Sequence, residues 1–149
     1  MGKRLLFVLG MMLFCMACGK EPVYQQSYTF PNGQGLMTAY VGGSFWRANA
    51  GFATGNAGST LRLTASYNTT AYFNFLIDNY AGPGYYSLGG FTQGFYVDGS
   101  GTEYQATTGV VNVLSDNGIL LQGEFYFSGT GNPGGFPLTV SNGKFTLYR

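Results

Sequence analysis

A repeat of period two runs through the chain from residue 36 onward and restricts the possible folds more than any other feature. Residues 61–66 (LRLTAS), 72–75 (YFNF) and 124–128 (EFYFS) alternate apolar with polar or aromatic side chains. Successive side chains of a β-strand point to opposite faces of its sheet. The alternation therefore predicts strands that bury one face and expose the other.

Short glycine-rich segments separate the alternating runs. Residues 42–43 (GG), 98–101 (DGSG), 116–118 (DNG) and 141–143 (SNG) are typical of hairpin turns. Most connections of this length join antiparallel neighbours. We predict an all-β domain over residues 36–149, which is an antiparallel β-sandwich or a flattened meander barrel of about nine or ten short strands.

The composition is that of a folded domain with few charges. Of 149 residues, 17% are aromatic, 9% are charged and 25 are glycine. The seven Lys and Arg residues are nearly balanced by six Asp and Glu residues, so no basic patch for phosphate neutralisation can be assembled. We expect no nucleic-acid partner.

The absence of histidine from the sequence removes most catalytic chemistries. A Ser–His or Cys–His nucleophile is excluded, and so is a zinc site built on the two cysteines alone. Asp78, Asp98 and Asp116 fall in turn sequences, where aspartate bonds its own backbone. We predict no enzyme activity, no catalytic residue, no metal and no cofactor. The alternative is a carboxylate-dependent polysaccharide hydrolase, because the separation of two carboxylates is a spatial property.

The N-terminal segment has the features of a secretory signal. Lys3 and Arg4 precede an apolar run over residues 5–14. This run is about half the length that a membrane-spanning helix needs. Residues 15–18 (CMAC) resemble a lipobox, and this resemblance implies acylation of the Cys18 thiol.

The lipobox divides the chain into three parts. Residues 1–17 are the predicted lipoprotein signal peptide, residues 18–35 are the acylated cysteine and a flexible tether, and residues 36–149 are the β domain. We expect a membrane partner through the lipid at Cys18 and a location in the cell envelope, at the outer membrane. The leaflet is left open.

Four short patterns resemble a known family. Residues 37–48 (MTAYVGGSFWRA) are similar to the M-x-A-x-V-x-G-x-x-W-x-A opening of a family of uncharacterised Bacteroidota lipoproteins. Residues 84–89, 123–127 and 140–145 are similar to its G-x-Y-x-L-G, G-x-F-x-F and V-x-x-G-x-F segments. The resemblance covers residues 36–149. The family has no assigned activity, so the resemblance implies a fold and no catalytic residue.

Tyrosines are the candidate ligand-binding residues. The alternation places Tyr40, Tyr72, Tyr126 and Tyr148 opposite the core-facing positions, whereas Trp46 is expected in the core. Exposed rings can stack on sugars, and packing with a polar tip is the alternative role. We expect a non-catalytic binding or structural module whose partner is a glycan or an envelope protein. An assembly subunit without a soluble ligand is the other alternative.

Overall fold

The computed structural model describes residues 35–49, 51–67 and 70–149, which contain ten β-strands and no helix. The strands are β1 (Leu36–Val41), β2 (Ser44–Ala48), β3 (Gly51–Thr54), β4 (Leu61–Ser66), β5 (Tyr72–Ile77), β6 (Gly84–Leu88), β7 (Gln93–Val97), β8 (Glu103–Asp116), β9 (Leu120–Asn132) and β10 (Pro137–Tyr148). The predicted all-β class is confirmed. Within this described part, no helix could cross a membrane.

The predicted signal peptide and Cys18 lie outside the described residues, and so does all but the last residue of the predicted tether.

Seven strands form a closed, barrel-like sheet. They follow one another in the order β3, β4, β5, β7, β8, β9 and β10, and β10 returns to β3. Neighbouring strands are antiparallel except at the closure, where Tyr148 of β10 pairs with Phe52 of β3 in a parallel register. The sequence pattern had left open whether the sheet closes, and the β10–β3 pairing closes it.

The last three strands are longer than the predicted short strands. β8, β9 and β10 contain 14, 13 and 12 residues, and β8 and β10 are each long enough to pair with two strands along one edge. β8 pairs with β7 near its start and with β6 further along, while β10 pairs with β1 as well as β3. Strands β2, β1, β10, β9, β8 and β6, in this order, thus form a six-stranded sheet. It shares its three long strands with the closed seven-stranded sheet.

The predicted hairpin turn at residues 141–143 is wrong. β10 continues through this segment, and its register with β9 shifts between Val140 and Gly143. Asn142 adopts a positive φ of 50°, a conformation that asparagine tolerates better than most residues. The same local chemistry suits a turn or a β-bulge, and pairing with β9 makes it a bulge.

The core is a cluster of aromatic side chains inside the closed sheet. Phe73, Phe75, Phe125 and Phe127 are fully or almost fully buried. Trp46 packs edge-on against Phe73 with ring centroids 4.7 Å apart, so its predicted place in the core is confirmed. Such edge-to-face pairs stabilise more than their buried area alone.

A candidate binding groove on the six-stranded sheet

A groove of about 540 Å³ lies on the outer face of the six-stranded sheet. It crosses four strands, and each contributes side chains. Tyr85 comes from β6, Asn112 from β8, Glu124 and Tyr126 from β9, and Lys144 from β10. The groove is therefore built by the long strands and by β6, which pairs with β8 alone.

Two exposed tyrosine rings stand in this groove. On β9, Phe125 and Phe127 point into the core, so Tyr126 between them points outward and is 57% exposed. Tyr85 on β6 is 78% exposed. A tyrosine ring provides a rigid apolar face with a polar tip, and such side chains are common in binding sites.

A row of polar side chains crosses the groove in register. Tyr85 pairs with Asn112, Asn112 with Glu124, and Glu124 with Lys144 on successive strands. Neighbouring strands are about 4.8 Å apart, so this row extends over roughly 14 Å. Asn112 is only 6% exposed and donates its Nδ2 proton to Glu124 Oε1 over 3.1 Å. The amide thereby holds the carboxylate in place.

The β10 bulge adds polar groups beside Tyr126. Phe127 pairs with Val140 and Phe125 with Gly143, which leaves Tyr126 opposite both residues of the bulge, Ser141 and Asn142. A bulge bends its strand and changes the direction of its side chains. Both bulge residues line the groove.

Gly143 is required where the bulge rejoins the ladder. A Cβ atom at this position would lie 2.6 Å from the ring of Phe125. The glycine lets β10 pass close to a core ring.

Lys144 brings the only positive charge among the residues that line the groove. Its ammonium group has no hydrogen-bond or ion-pair partner among the described residues. Glu124 is likewise the only carboxylate of the lining. The two charges face each other across the β9–β10 pair.

The four predicted tyrosines do not form one platform. Tyr126 is in the groove, and Tyr40 lies on β1 of the same sheet, where its ring meets Phe45 edge-on at 5.6 Å. Tyr72 lies on β5, outside the six-stranded sheet, and Tyr148 lies at the end of β10. Each of the four has at least one buried neighbour in its strand.

Sequence reasoning missed Tyr85, Asn112 and Lys144 as groove residues. Asn112 carried a signal, since it is polar within the apolar run of residues 110–114 (VVNVL). Tyr85 carried none, because its role depends on the pairing of β6 with β8 and not with its neighbour along the chain, β7.

The turn aspartates are engaged in local structure. Asp78 accepts a hydrogen bond from the Thr60 hydroxyl over 2.8 Å, and Asp98 accepts one from the Ser100 hydroxyl over 2.6 Å. The Ser100 hydroxyl, with nearby backbone amides, lowers the pKa of Asp98 despite the opposing effect of desolvation. No group of three or more potential metal ligands occurs among the described residues.

Comparison with family models gives the classification. The model of a domain of unknown function, DUF6252, matches residues 34–147. The chain belongs to this family. The DUF6252 match spans the groove and almost all of both sheets, and it confirms the prediction of an uncharacterised family. Comparisons with curated proteins and with solved structures find no match for this DUF6252 chain.

Proposed function

We propose that this chain is a cell-envelope lipoprotein whose β domain binds a glycan without transforming it. The observation that carries the proposal is the pair of exposed rings, Tyr85 and Tyr126, beside a polar row in a single groove. A sugar ring has apolar C–H faces and hydroxyl edges. Aromatic faces with a few fixed polar groups match both properties.

The single carboxylate of the groove favours binding over hydrolysis. Glycoside hydrolysis uses two carboxyl groups about 5–10 Å apart, and Glu124 is the only acid among the described groove residues. Glu103 lies nine positions before Asn112 on β8, which is a distance of roughly 30 Å along the strand. Asp116, four positions after Asn112 on β8, is held by Arg149 and the Tyr80 hydroxyl and does not line the groove, which supports a non-catalytic site.

The N-terminal segment supports the envelope location. The lipobox-like residues 15–18 and the apolar run before them fit a lipid anchor at Cys18 on the outer membrane, as in the Bacteroidota lipoproteins that the domain resembles. A tether over residues 18–35 would hold the groove away from the bilayer.

A second candidate function is assembly with an envelope protein. The outer edge of β2 pairs with no other described strand, and Phe45 on β2 is strongly exposed. An unpaired strand edge can accept a strand from a partner. A pull-down from envelope extract that fails with Phe45→Glu, but survives Tyr126→Ala, would favour this function over the groove.

We expect Tyr126→Ala and Tyr85→Ala each to weaken glycan binding about tenfold. Covering one face of a tyrosine ring removes roughly 60 Å² of apolar surface from water, which is worth about 1.5 kcal/mol. Glycan-array screening of the full-length chain, followed by titration calorimetry of the hits, measures the effect.

The matched control is Tyr67→Ala. Tyr67 is 67% exposed but lies between β4 and β5, away from the groove. Unchanged affinity is expected for this variant. An equal loss in the control, or no loss in Tyr126→Ala, would contradict binding in the groove.

Cys18→Ser is expected to abolish incorporation of a fatty-acid probe in labelled cells. The thioether that carries the lipid requires the thiol at the cleavage point, whereas Cys15 lies in the segment to be removed. Cys15→Ser is the control and should keep its label. Label that persists in Cys18→Ser would refute the anchor.

A further inference from the structure

We propose that the groove selects neutral oligosaccharides and binds two adjacent hydroxyls of one sugar with Glu124 and Lys144. This inference rests on the glycan-binding function proposed above and names the class of ligand.

Glu124 and Lys144 have complementary hydrogen-bonding properties. Glu124 and Lys144 are register partners on β9 and β10. Asn112 occupies one oxygen of Glu124 and leaves the other as an acceptor, while the Lys144 ammonium makes no bond to another described residue. An ionised carboxylate only accepts hydrogen bonds and an ammonium only donates them. A hydroxyl does both, so neighbouring hydroxyls can donate to Glu124 and accept from Lys144.

This charged pair lies next to the exposed tyrosine ring of Tyr126. Glu124 and Tyr126 are two residues apart on β9 and point to the same face, so their Cα atoms are about 7 Å apart. This separation is comparable to the width of one sugar ring. A pyranose stacked on Tyr126 can therefore present its edge to Glu124 and Lys144.

The acceptor carboxylate of Glu124 is oriented before any ligand binds. Asn112 is almost completely buried between its register partners Tyr85 and Glu124, and it holds the carboxylate by a hydrogen bond of 3.1 Å. A group that is already oriented loses little conformational freedom when a ligand binds.

The charges of the groove lining favour an uncharged ligand. Lys144 and Glu124 are the only charged residues of the lining, and they have opposite signs. An acidic sugar at this point would gain attraction to Lys144 and suffer repulsion from Glu124, while its own charge would lose hydration. A neutral sugar incurs neither the repulsion nor this loss.

Matched sugar oligomers test the inference. Oligogalactose is compared with oligogalacturonate, and oligomannose with oligomannuronate, by calorimetry on the full-length chain. We expect at least one neutral oligomer to bind at least tenfold more tightly than its uronate counterpart. Because the ligand is uncharged, its affinity should change less than twofold between 0.05 and 0.5 M salt.

Isosteric variants test the roles of the two residues. Glu124→Gln replaces an acceptor oxygen with a donor, and Lys144→Met removes the donor at similar length. Each should weaken binding of the neutral oligomer about tenfold or more, because hydrogen bonds to charged groups are among the stronger ones. The control Glu103→Gln, at the far end of β8, should bind unchanged, and thermal melts check that all variants fold.

The outcomes distinguish selection of neutral sugars by Glu124 and Lys144 from glycan binding in general. Uronates that bind as tightly as their neutral counterparts, or folded Glu124→Gln and Lys144→Met variants that keep wild-type affinity, would overturn this inference and leave glycan binding standing. Failure of these oligomers and of every glycan on the array to bind would overturn the glycan function as well.

Discussion

Replacing Phe73 with alanine is expected to lower the free energy of unfolding by about 4 kcal/mol. The Phe73 ring is fully buried, and its centroid lies 4.7 Å from that of Trp46, 4.8 Å from Tyr96 and 5.3 Å from Phe125. Truncation removes the apolar area and leaves a cavity, and these effects together cost roughly 3–5 kcal/mol for phenylalanine. This loss is a large share of the ~5–15 kcal/mol that stabilises a typical domain.

Urea unfolding followed by tryptophan fluorescence measures this loss directly. Trp46 is the only tryptophan of the chain and touches Phe73, so its emission reports the affected region. Phe91→Ala is the control, since Phe91 is among the most exposed side chains and should change stability by less than about 0.5 kcal/mol. Similar losses in both variants would show that the ring cluster is not the core of the fold.

Arg149→Met is expected to cost about 3 kcal/mol, because it leaves a nearly buried carboxylate without its cation. Arg149 Nη2 and Nε lie 2.5 Å and 3.1 Å from the two oxygens of Asp116. The two side chains are only 10% and 12% exposed. The Tyr80 hydroxyl donates to the same carboxylate over 2.8 Å, and the guanidinium lies 5.6 Å from the Tyr80 ring centroid. The cluster thus ties residue 149 to the β5–β6 connection and to the end of β8.

This cluster also makes stability depend on pH. Burial alone would raise the pKa of Asp116, but the Gly118 amide, Arg149 and Tyr80 outweigh it, and the net pKa is lowered. Because the pKa of Asp116 is lower in the folded than in the unfolded state, its ionised carboxylate stabilises the fold. This contribution to stability is complete above the unfolded-state pKa of about 3.9 and is lost as the pH falls through the folded-state pKa. Burial and the hydrogen bond to Asp116 raise the pKa of Tyr80. Its contribution to folding stability is therefore complete below pH ~10 and is lost at higher pH.

Chemical unfolding between pH 2.5 and pH 7 tests the cluster. The free energy of unfolding of the wild type should exceed that of Asp116→Asn at pH 7, and this difference should disappear as the pH falls below about 4. Arg62→Met is the control for the arginine, because Arg62 is exposed on β4 and should change stability by less than about 0.5 kcal/mol. Equal effects of Arg62→Met and Arg149→Met, or a pH-independent difference between wild type and Asp116→Asn, would contradict the assigned role.

Strand identity and the facing of side chains were readable from the sequence. The alternation in residues 61–66 and 124–128 placed the buried and exposed faces correctly, with Phe125 and Phe127 inward and Tyr126 outward. This succeeds because the direction of a side chain in a strand depends only on its place in a two-residue repeat. Not every turn position was readable, because residues 141–143 suit either a hairpin turn or a β-bulge.

The groove could not be read from the sequence, because it depends on which strands become neighbours. Tyr85 lies beside Asn112 only because β6 pairs with β8. Lys144 lies beside Glu124 only because of the register between β9 and β10 that follows the bulge. Closure of the ring by Tyr148 and Phe52 likewise joins strands that are far apart in the chain. Local alternation is the same for every choice of partner. The partners are selected by how tightly the aromatic core packs, which is a property of all ten strands together.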